Sequence, residues 1–163
     1  MFLSNFTHAQ QPVRFTSVAT GLRLDGNMQG EIYPHSPHDG SWQKWFLYLA
    51  GEDGKGRYFY IKNLETGRYL GQTIIGSNDV TGYEKNILQN ETTKKFVQWY
   101  IQEEGHGIVT ISHRITNFCL DGNNTDIYPL APNTGPYQRW RMTPWRPDEG
   151  IAKECKLFFW WCN

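Results

Sequence analysis

Apolar and polar side chains alternate along the chain after each of three tryptophans. The apolar sets are Trp45, Leu47 and Leu49; Trp99 and Ile101; and Trp140 and Met142. Because successive side chains of a β-strand point to opposite faces, each set predicts a strand with one face in a core. Three further segments, 13–18, 57–64 and 108–115, are rich in β-branched and aromatic residues and predict short strands. Helical periodicity is hard to find, which favours an all-β chain.

The sequence that connects these strands repeats itself. Residues 22–34 and 118–129 both contain Leu-Asp-Gly-Asn followed by Ile-Tyr-Pro, and each continues to a Gln-x-Trp. A weaker third copy between them ends at Trp99. A Thr-Gly or Thr-Asn pair precedes each copy, and its Gly or Asn tolerates the positive φ of a tight turn. These pairs stand at 20–21, 66–67 and 116–117.

Three copies of one unit, at about residues 12–55, 56–104 and 105–144, account for most of the chain. With about four short strands each, they predict a three-fold barrel capped by hairpins, a β-trefoil. An irregular β-sandwich or barrel is the alternative, but it does not explain the three copies. The leucines and tryptophans shared by the units are expected in a common core. They are Leu24, Leu70, Leu120, Trp45, Trp99 and Trp140.

The repeats and the segment that follows them predict one domain over residues 1–150 and a separate aromatic tail over residues 151–163. The tail ends Leu-Phe-Phe-Trp-Trp-Cys-Asn. Burial of each large apolar side chain is worth about 1.5–3 kcal/mol, so the tail is expected to dock. The open end of the barrel, a homodimer seam and a neighbouring domain are the three alternatives, and the sequence leaves them open.

Charge and composition exclude several partners. The chain has 16 basic and 16 acidic residues, so neither nucleic acid nor an anionic membrane is expected as the main partner. No apolar run is long enough for a transmembrane segment, and no signal peptide is visible, which leaves a cytoplasmic, leaderless or processed secreted protein. The 3 cysteines and 5 histidines lack metal-ligand spacing, so no metal or cofactor is expected, and pairing of Cys155 with Cys162 stays open.

The first and third units carry the side chains that a neutral sugar needs. An aromatic face packs on the sugar's C–H groups, and a carboxylate accepts from two adjacent hydroxyls. Each unit offers an aspartate, a tyrosine and a second aromatic residue. These are Asp25, Tyr33 and Trp42, and Asp121, Tyr128 and Tyr137. Gln43 and Gln138 are expected to hold the aspartates by hydrogen bonds.

The middle unit indicates which of the repeated residues the fold requires. It keeps its turn and Trp99, yet it has Gly71 where the other units have aspartate. The fold therefore does not require the carboxylate, and the middle unit is not expected to bind sugar. Two sites on one body would raise avidity for a multivalent surface.

The order Leu-Asp-Gly-Asn, Ile-Tyr-Pro and Gln-x-Trp, repeated three times over about residues 12–144, resembles the ricin B-type β-trefoil lectins. The resemblance implies glycans of glycoproteins or glycolipids as partners. It also implies a set of binding residues in each strong unit. These are Asp25, Glu31, Tyr33 and Gln43 in the first, and Asp121, Asp126, Tyr128 and Gln138 in the third.

The residues before the Gln-x-Trp motifs bear on which type of sugar is bound. Galactose-binding members place asparagine before the Gln of Gln-x-Trp, where this chain has Trp42 and Tyr137. The third unit is more similar to the actinohivin-like members, which bind mannose-type glycans. That similarity implies contacts from Asp121, Tyr128, Asn133 and Tyr137, whereas the first unit has Asp25, Tyr33, His38 and Trp42. Galactose or GalNAc and mannose both remain open.

These observations predict a non-catalytic carbohydrate-binding lectin that recognises terminal sugars. Asp25 and Asp121 lie on separate units, far beyond the spacing of about 5–9.5 Å that glycoside hydrolysis needs, so an enzyme is not expected. Two alternatives remain: a β-trefoil protease inhibitor that acts through an exposed loop, such as the insertion at 78–95, and the targeting domain of a larger toxin.

Overall fold

A computed structural model describes residues 11–74 and 78–144, and within these ranges it contains twelve β-strands, four 3-10 helices and no α-helix. The first unit comprises β1 (Arg14–Ser17), β2 (Arg23–Gly26), β3 (Ile32–His35) and β4 (Trp45–Asp53). The second comprises β5 (Gly56–Asn63), β6 (Tyr69–Gln72), β7 (Val80–Tyr83) and β8 (Trp99–Gly105). The third comprises β9 (Ile108–His113), β10 (Cys119–Gly122), β11 (Ile127–Leu130) and β12 (Trp140–Thr143). The predicted all-β class is confirmed.

Short 3-10 helices precede the last strand of each unit. They span Ser41–Gln43, Lys85–Gln89, Thr93–Val97 and Pro136–Gln138. In the middle unit, Lys85–Gln89 lies in the insertion at 78–95. Thr93–Val97 ends two residues before Trp99, as the helices of the other units do before Trp45 and Trp140. No helix in the described ranges is long and apolar enough to cross a membrane. The aromatic tail, and every expectation that concerns it, lies outside the described residues.

The strands form a ring of six with three hairpins attached. β1 pairs with β12, β12 with β9, β9 with β8, β8 with β5, and β5 with β4, all antiparallel. An antiparallel bridge pairs Trp45, the first residue of β4, with Val13, the residue just before β1, and so closes the ring. The hairpins β2–β3, β6–β7 and β10–β11 extend from it, one per unit. This arrangement is the predicted β-trefoil.

The repeat tryptophans join the hairpins to the barrel. Trp45, Trp99 and Trp140 are at most 1% exposed, and the three repeat leucines are fully buried. Each indole Nε1–H donates to the carbonyl oxygen of its own unit's leucine, at 3.1 Å to Leu24, 2.7 Å to Leu70 and 3.0 Å to Leu120. A buried carbonyl and a buried indole N–H thus satisfy each other. The predicted shared core is confirmed.

The predicted turns are also confirmed. Gly21, Gly67 and Asn117 have φ of 75°, 70° and 64°. Each donates its N–H to the carbonyl oxygen four residues earlier, at 2.8–2.9 Å. Positive φ is accessible to glycine and, less readily, to asparagine, which explains the choice of residues.

Gly26 and Gly122 have a different role from the one their sequence suggests. The motif predicts that they let the chain turn beside the aspartate, but neither has positive φ, and both lie at strand ends. A Cβ on Gly122 would lie 2.8 Å from Ile127 Cδ1 and 3.0 Å from Trp140 Cη2. A Cβ on Gly26 would lie 3.4 Å from Trp45 Cη2. Gly122 therefore leaves room for Ile127 and Trp140, whereas Gly26 is less crowded.

Gly122→Ala should lower the free energy of unfolding by about 1–3 kcal/mol, because overpacking of a close-packed core costs that much. Gly26→Ala is the matched control, and its contacts of 3.3 Å and longer predict a smaller loss. Urea unfolding of both variants measures the difference. Equal stability of the two variants would show that the tryptophan contact does not select glycine.

One turn is braced by a buried histidine. His113 is fully buried, its Nδ1 faces the N–H groups of Ile115 and Thr116 at 3.3 and 3.4 Å, and its Nε2–H donates to Phe96 O at 2.9 Å. Asn63 makes the equivalent three bonds at the turn of the middle unit, to Glu65, Thr66 and Trp42. Burial lowers the pKa of His113 from 6.5 to about 4.

Stability should fall in mild acid through His113. In the unfolded chain the imidazole has its ordinary pKa of 6.5, whereas in the folded protein its pKa is about 4. Between these two pH values the unfolded state binds a proton that the folded state does not bind, and this favours unfolding. The contribution is present above about pH 6.5 and is lost as the pH falls towards 4, by at most about 3 kcal/mol. His113→Asn, which copies Asn63, should remove this part of the pH dependence in urea unfolding at pH 4.5 and 7.5. An unchanged difference between the two pH values would contradict it.

Candidate functional site

The third unit brings its predicted site residues together. In the β10–β11 hairpin Asp121 lies directly opposite Tyr128. An open cavity of about 470 Å³ begins at this pair. Its lining consists of Asp121, Asn123, Tyr128, Leu130, Asn133, Thr134, Gly135 and Tyr137. The four residues that the actinohivin-like resemblance implies therefore share one cavity.

The carboxylate at this cavity is buried and only partly satisfied. Asp121 is 2% exposed, and its Oδ1 has no hydrogen-bond partner among the described residues. Desolvation, followed by a hydrogen bond to Asp121 and by its charge, raises the pKa of Tyr128. Tyr128 therefore keeps its proton and acts as a donor beside the carboxylate. Tyr137 is 48% exposed and offers an aromatic surface to solvent.

Gln138 holds the loop that carries Asn133. Its Oε1 accepts from the Asn133 N–H at 2.9 Å, and its Nε2 donates to Ala131 O at 2.9 Å. Asn133 Oδ1 in turn accepts from the Gly135 N–H at 2.8 Å. The sequence predicts that Gln138 holds Asp121, but no such bond is present among the described residues. Gln138 is fully buried and positions the loop instead of the carboxylate.

In the first unit the glutamine bonds both the aspartate and the loop beside it. Gln43 Nε2 donates to Asp25 Oδ2 and to Ser36 O, both at 2.9 Å, and its Oε1 accepts from the His38 N–H at 3.0 Å. Asp25 is 2% exposed and lies opposite Tyr33. Desolvation, and then the charge of Asp25, raises the pKa of Tyr33. The predicted contact between Gln43 and Asp25 is confirmed.

Two histidines flank Asp25. His38 Nε2 lies 3.5 Å and His35 Nδ1 lies 4.0 Å from Asp25 Oδ2. The sequence singled out His38 but not His35. The alternation of side chains along a strand could have identified His35, because it follows Tyr33 by two residues in β3 and so points to the same side of the strand. The fourth first-unit residue, Trp42, is half-buried, and its carbonyl accepts from Asn63 Nδ2 at 2.8 Å.

Two predicted acidic residues lie elsewhere. Glu31 and Asp126 both line a different cavity, of about 620 Å³, together with Asp79 of the middle unit. Each of the three directly precedes the first residue of the second hairpin strand of its unit. The structure therefore groups Glu31 with Asp126 between hairpins. Tyr33 also lines this cavity, whereas Asp25 and Asp121 do not.

The middle unit has no room for an acidic side chain. Gly71 lies opposite Thr81, at the position of the aspartates. A Cβ on Gly71 would lie 2.6 Å from Tyr83 Cδ2 and 2.9 Å from Phe96 O. The ring of Tyr83 fills the space that the carboxylate has in the other units. The residue two before the tryptophan, which is Gln43 or Gln138 in the other units, is the buried Val97 here.

Comparison with protein-family models shows to which family the chain belongs. The model described as ricin-type β-trefoil lectin domain-like matches residues 41–129, more than half of the chain. The chain belongs to this family. A search of curated proteins finds no match.

Solved structures share the fold at low sequence identity. The designed three-fold symmetric protein ThreeFoil is 21% identical with a TM-score of 0.67, over 80% of this chain and 96% of its own. A ricin B-like lectin from Macrolepiota procera, in complex with lactose, is 19% identical with a TM-score of 0.64, over 82% and 94%. An exo-β-1,3-galactanase from Clostridium thermocellum is 20% identical with a TM-score of 0.68, over 81% of this chain and 30% of its own. These similarities show the β-trefoil fold.

Gly71→Asp should destabilise the protein. The side chain would displace Tyr83 and bury a carboxylate, and overpacking alone costs about 1–3 kcal/mol. Gly54→Asp is the control, because a Cβ there meets nothing within 4 Å. Urea unfolding measures the loss for each variant. Stability equal to that of the control would show that Tyr83 does not occupy this space.

Proposed function

We propose that the protein is a non-catalytic lectin that binds a terminal sugar of glycans in the cavity of its third unit. The observation that supports this most strongly is the buried Asp121 carboxylate at the cavity, with Oδ1 unpartnered. A buried acceptor without a donor costs about 1–3 kcal/mol. A sugar hydroxyl that enters the cavity supplies the missing donor, and a charge-assisted bond of this kind is strong.

The other lining residues complete the requirements of a sugar. Tyr128 can donate its phenolic O–H to a sugar oxygen once a sugar hydroxyl replaces it as a donor to Asp121. The exposed ring of Tyr137 packs against C–H groups. Asn133 is fixed by its bonds to Gln138 and Gly135, so its side chain enters the site at little entropic cost.

For the third unit we favour a mannose-type sugar. The residue before Gln138 is Tyr137, where galactose-binding members have asparagine, and Tyr137 shares the cavity with Asp121 and Asn133. A galactoside is the alternative, and it is supported by the Macrolepiota procera lectin, which is in complex with lactose. A glycan array distinguishes the two.

The first unit supplies a second, different site. Asp25 and Tyr33 keep the pair found in the third unit, but Gln43 already donates to Asp25 Oδ2 and His38 lies beside it. Sugar hydroxyls therefore meet a carboxylate with fewer free acceptor positions than Asp121 has. We expect weaker binding here, with the two sites together raising avidity for glycans on glycoproteins or glycolipids.

A targeting role within a larger protein is compatible with the same chemistry. The chain aligns with 30% of the galactanase chain, so this fold also occurs as one part of an enzyme. The sugar site would then direct an attached domain, such as a toxin, to a glycan surface.

Asp121→Asn should weaken glycan binding by about 10–100-fold, because hydrogen bonds to a charged group are worth about 1.5–3 kcal/mol. Asp126→Asn is the matched control: this aspartate of the same unit is exposed, accepts from Thr125 Oγ1 and lines the other cavity. A glycan array identifies the sugar, and calorimetry with that sugar measures the affinity of each variant.

The fold should survive the change, since the middle unit has Gly71 at this position. Full binding by a protein that carries both Asp25→Asn and Asp121→Asn, or equal losses in Asp121→Asn and Asp126→Asn, would overturn the assignment of the site.

A further inference from the structure

The first unit gathers three metal-ligating side chains around one buried carboxylate. One ligand atom each from Asp25, His35 and His38 lies within 4.8 Å of the others. The carboxylate is 2% exposed, whereas both histidine side chains are open to solvent. Asp25 Oδ1 is buried without a hydrogen-bond partner among the described residues.

The distances are close to those around a tetrahedral ion. Ligand atoms 2.0–2.2 Å from zinc lie about 3.3–3.6 Å from one another. His38 Nε2 already lies 3.5 Å from Asp25 Oδ2, and His35 Nδ1 lies 4.0 Å from the same oxygen. The two histidine nitrogens lie within 4.8 Å of each other, so His35 must approach both Asp25 and His38 to satisfy this geometry. Its side chain is 53% exposed.

The fold does not require these histidines. Leu130 stands at the position of His35, since each ends the second hairpin strand, and Asn133 stands at the position of His38. His38 Nδ1 accepts from the Gly40 N–H at 2.9 Å, as Asn133 Oδ1 accepts from the Gly135 N–H at 2.8 Å. An asparagine can thus replace the loop bond of His38, and Leu130 shows that the fold needs no imidazole at the position of His35.

The protons on the imidazoles can rearrange around an ion. Because His38 Nδ1 accepts from Gly40, its Nε2 carries the proton and faces Asp25. An ion at Nε2 moves this proton to Nδ1, which ends the bond from the Gly40 N–H, so the loop at Gly40 must shift to let that N–H bond to water. His35 Nδ1 exchanges its contact with Ser36 O, at 3.1 Å, for the ion. Gln43 Nε2, at 2.9 Å from Asp25 Oδ2, orients the carboxylate as an outer hydrogen-bond partner.

We propose that Asp25, His35 and His38 bind one divalent transition-metal ion of the zinc type. Two imidazoles and a carboxylate are the donor set that zinc takes in sites with an open fourth position. The ion would share Asp25 with the first sugar site, so metal and sugar would compete or combine there. The metal proposal does not depend on sugar binding.

The test uses untagged, metal-free protein and zinc chloride in a calorimeter. The wild type should bind one zinc ion per chain. The double variant His35→Leu/His38→Asn, which carries the residues of the third unit, should bind at least 100-fold more weakly. His106→Asn is the control: it removes an exposed histidine at φ 55°, a conformation that asparagine tolerates, and should bind zinc like the wild type.

Cobalt gives a second readout of the same site. Co²⁺ in a four-coordinate protein site absorbs visible light, and this absorption should appear in the wild type and be lost in Asp25→Asn. Thermal unfolding checks that each variant is folded. No saturable zinc binding by the wild type, or equal binding by the double variant, would overturn the proposal. Glycan binding that depends on Asp121 is measured separately, so failure of either proposal leaves the other intact.

Discussion

The hydrogen bond from each repeat tryptophan to a hairpin leucine is the constraint on which the rest of the structure depends. Trp45, Trp99 and Trp140 begin the last strand of their units, and each indole bonds the carbonyl of a leucine in the hairpin. This bond fixes the hairpin against the barrel. The residue after each leucine, at 25, 71 and 121, is therefore held at the same place in all three units. The position of the carboxylates is a consequence of core packing.

The three units use this position differently. Asp121 opens onto a cavity, Asp25 lies between a glutamine and two histidines, and Gly71 is covered by the ring of Tyr83. Since the tryptophan contact is the same in each, these differences carry little cost for the fold. Substitutions in the hairpins can thus change which ligand the unit binds while the barrel stays constant. The sugar site that we propose for the third unit and the metal site that we propose for the first would be two outcomes of these differences.

Buried glutamines connect the site to the loop beside it. Gln43 and Gln138 are both fully buried and both accept from a backbone N–H five residues earlier, at 3.0 and 2.9 Å. Only Gln43 also reaches its aspartate. The Asp121 carboxylate is consequently left with more acceptor capacity, and a buried acceptor of this kind favours a ligand that donates.

The sequence alone determined the fold class, the three units, the core leucines and tryptophans, and the turns at Gly21, Gly67 and Asn117, because these depend on periodicity and backbone conformation that repeat locally. It also identified four of the eight residues that line the third-unit cavity, through their resemblance to a lectin motif. Only the tertiary structure separated the acidic residues, since Glu31 and Asp126 line a cavity between hairpins and Asp121 lines the third-unit cavity. It likewise placed His35 beside Asp25 and showed that Gly122 makes room for Trp140. Such facts depend on which units approach one another and on atomic distances across the hairpin, and neither is encoded in the spacing of residues along the chain.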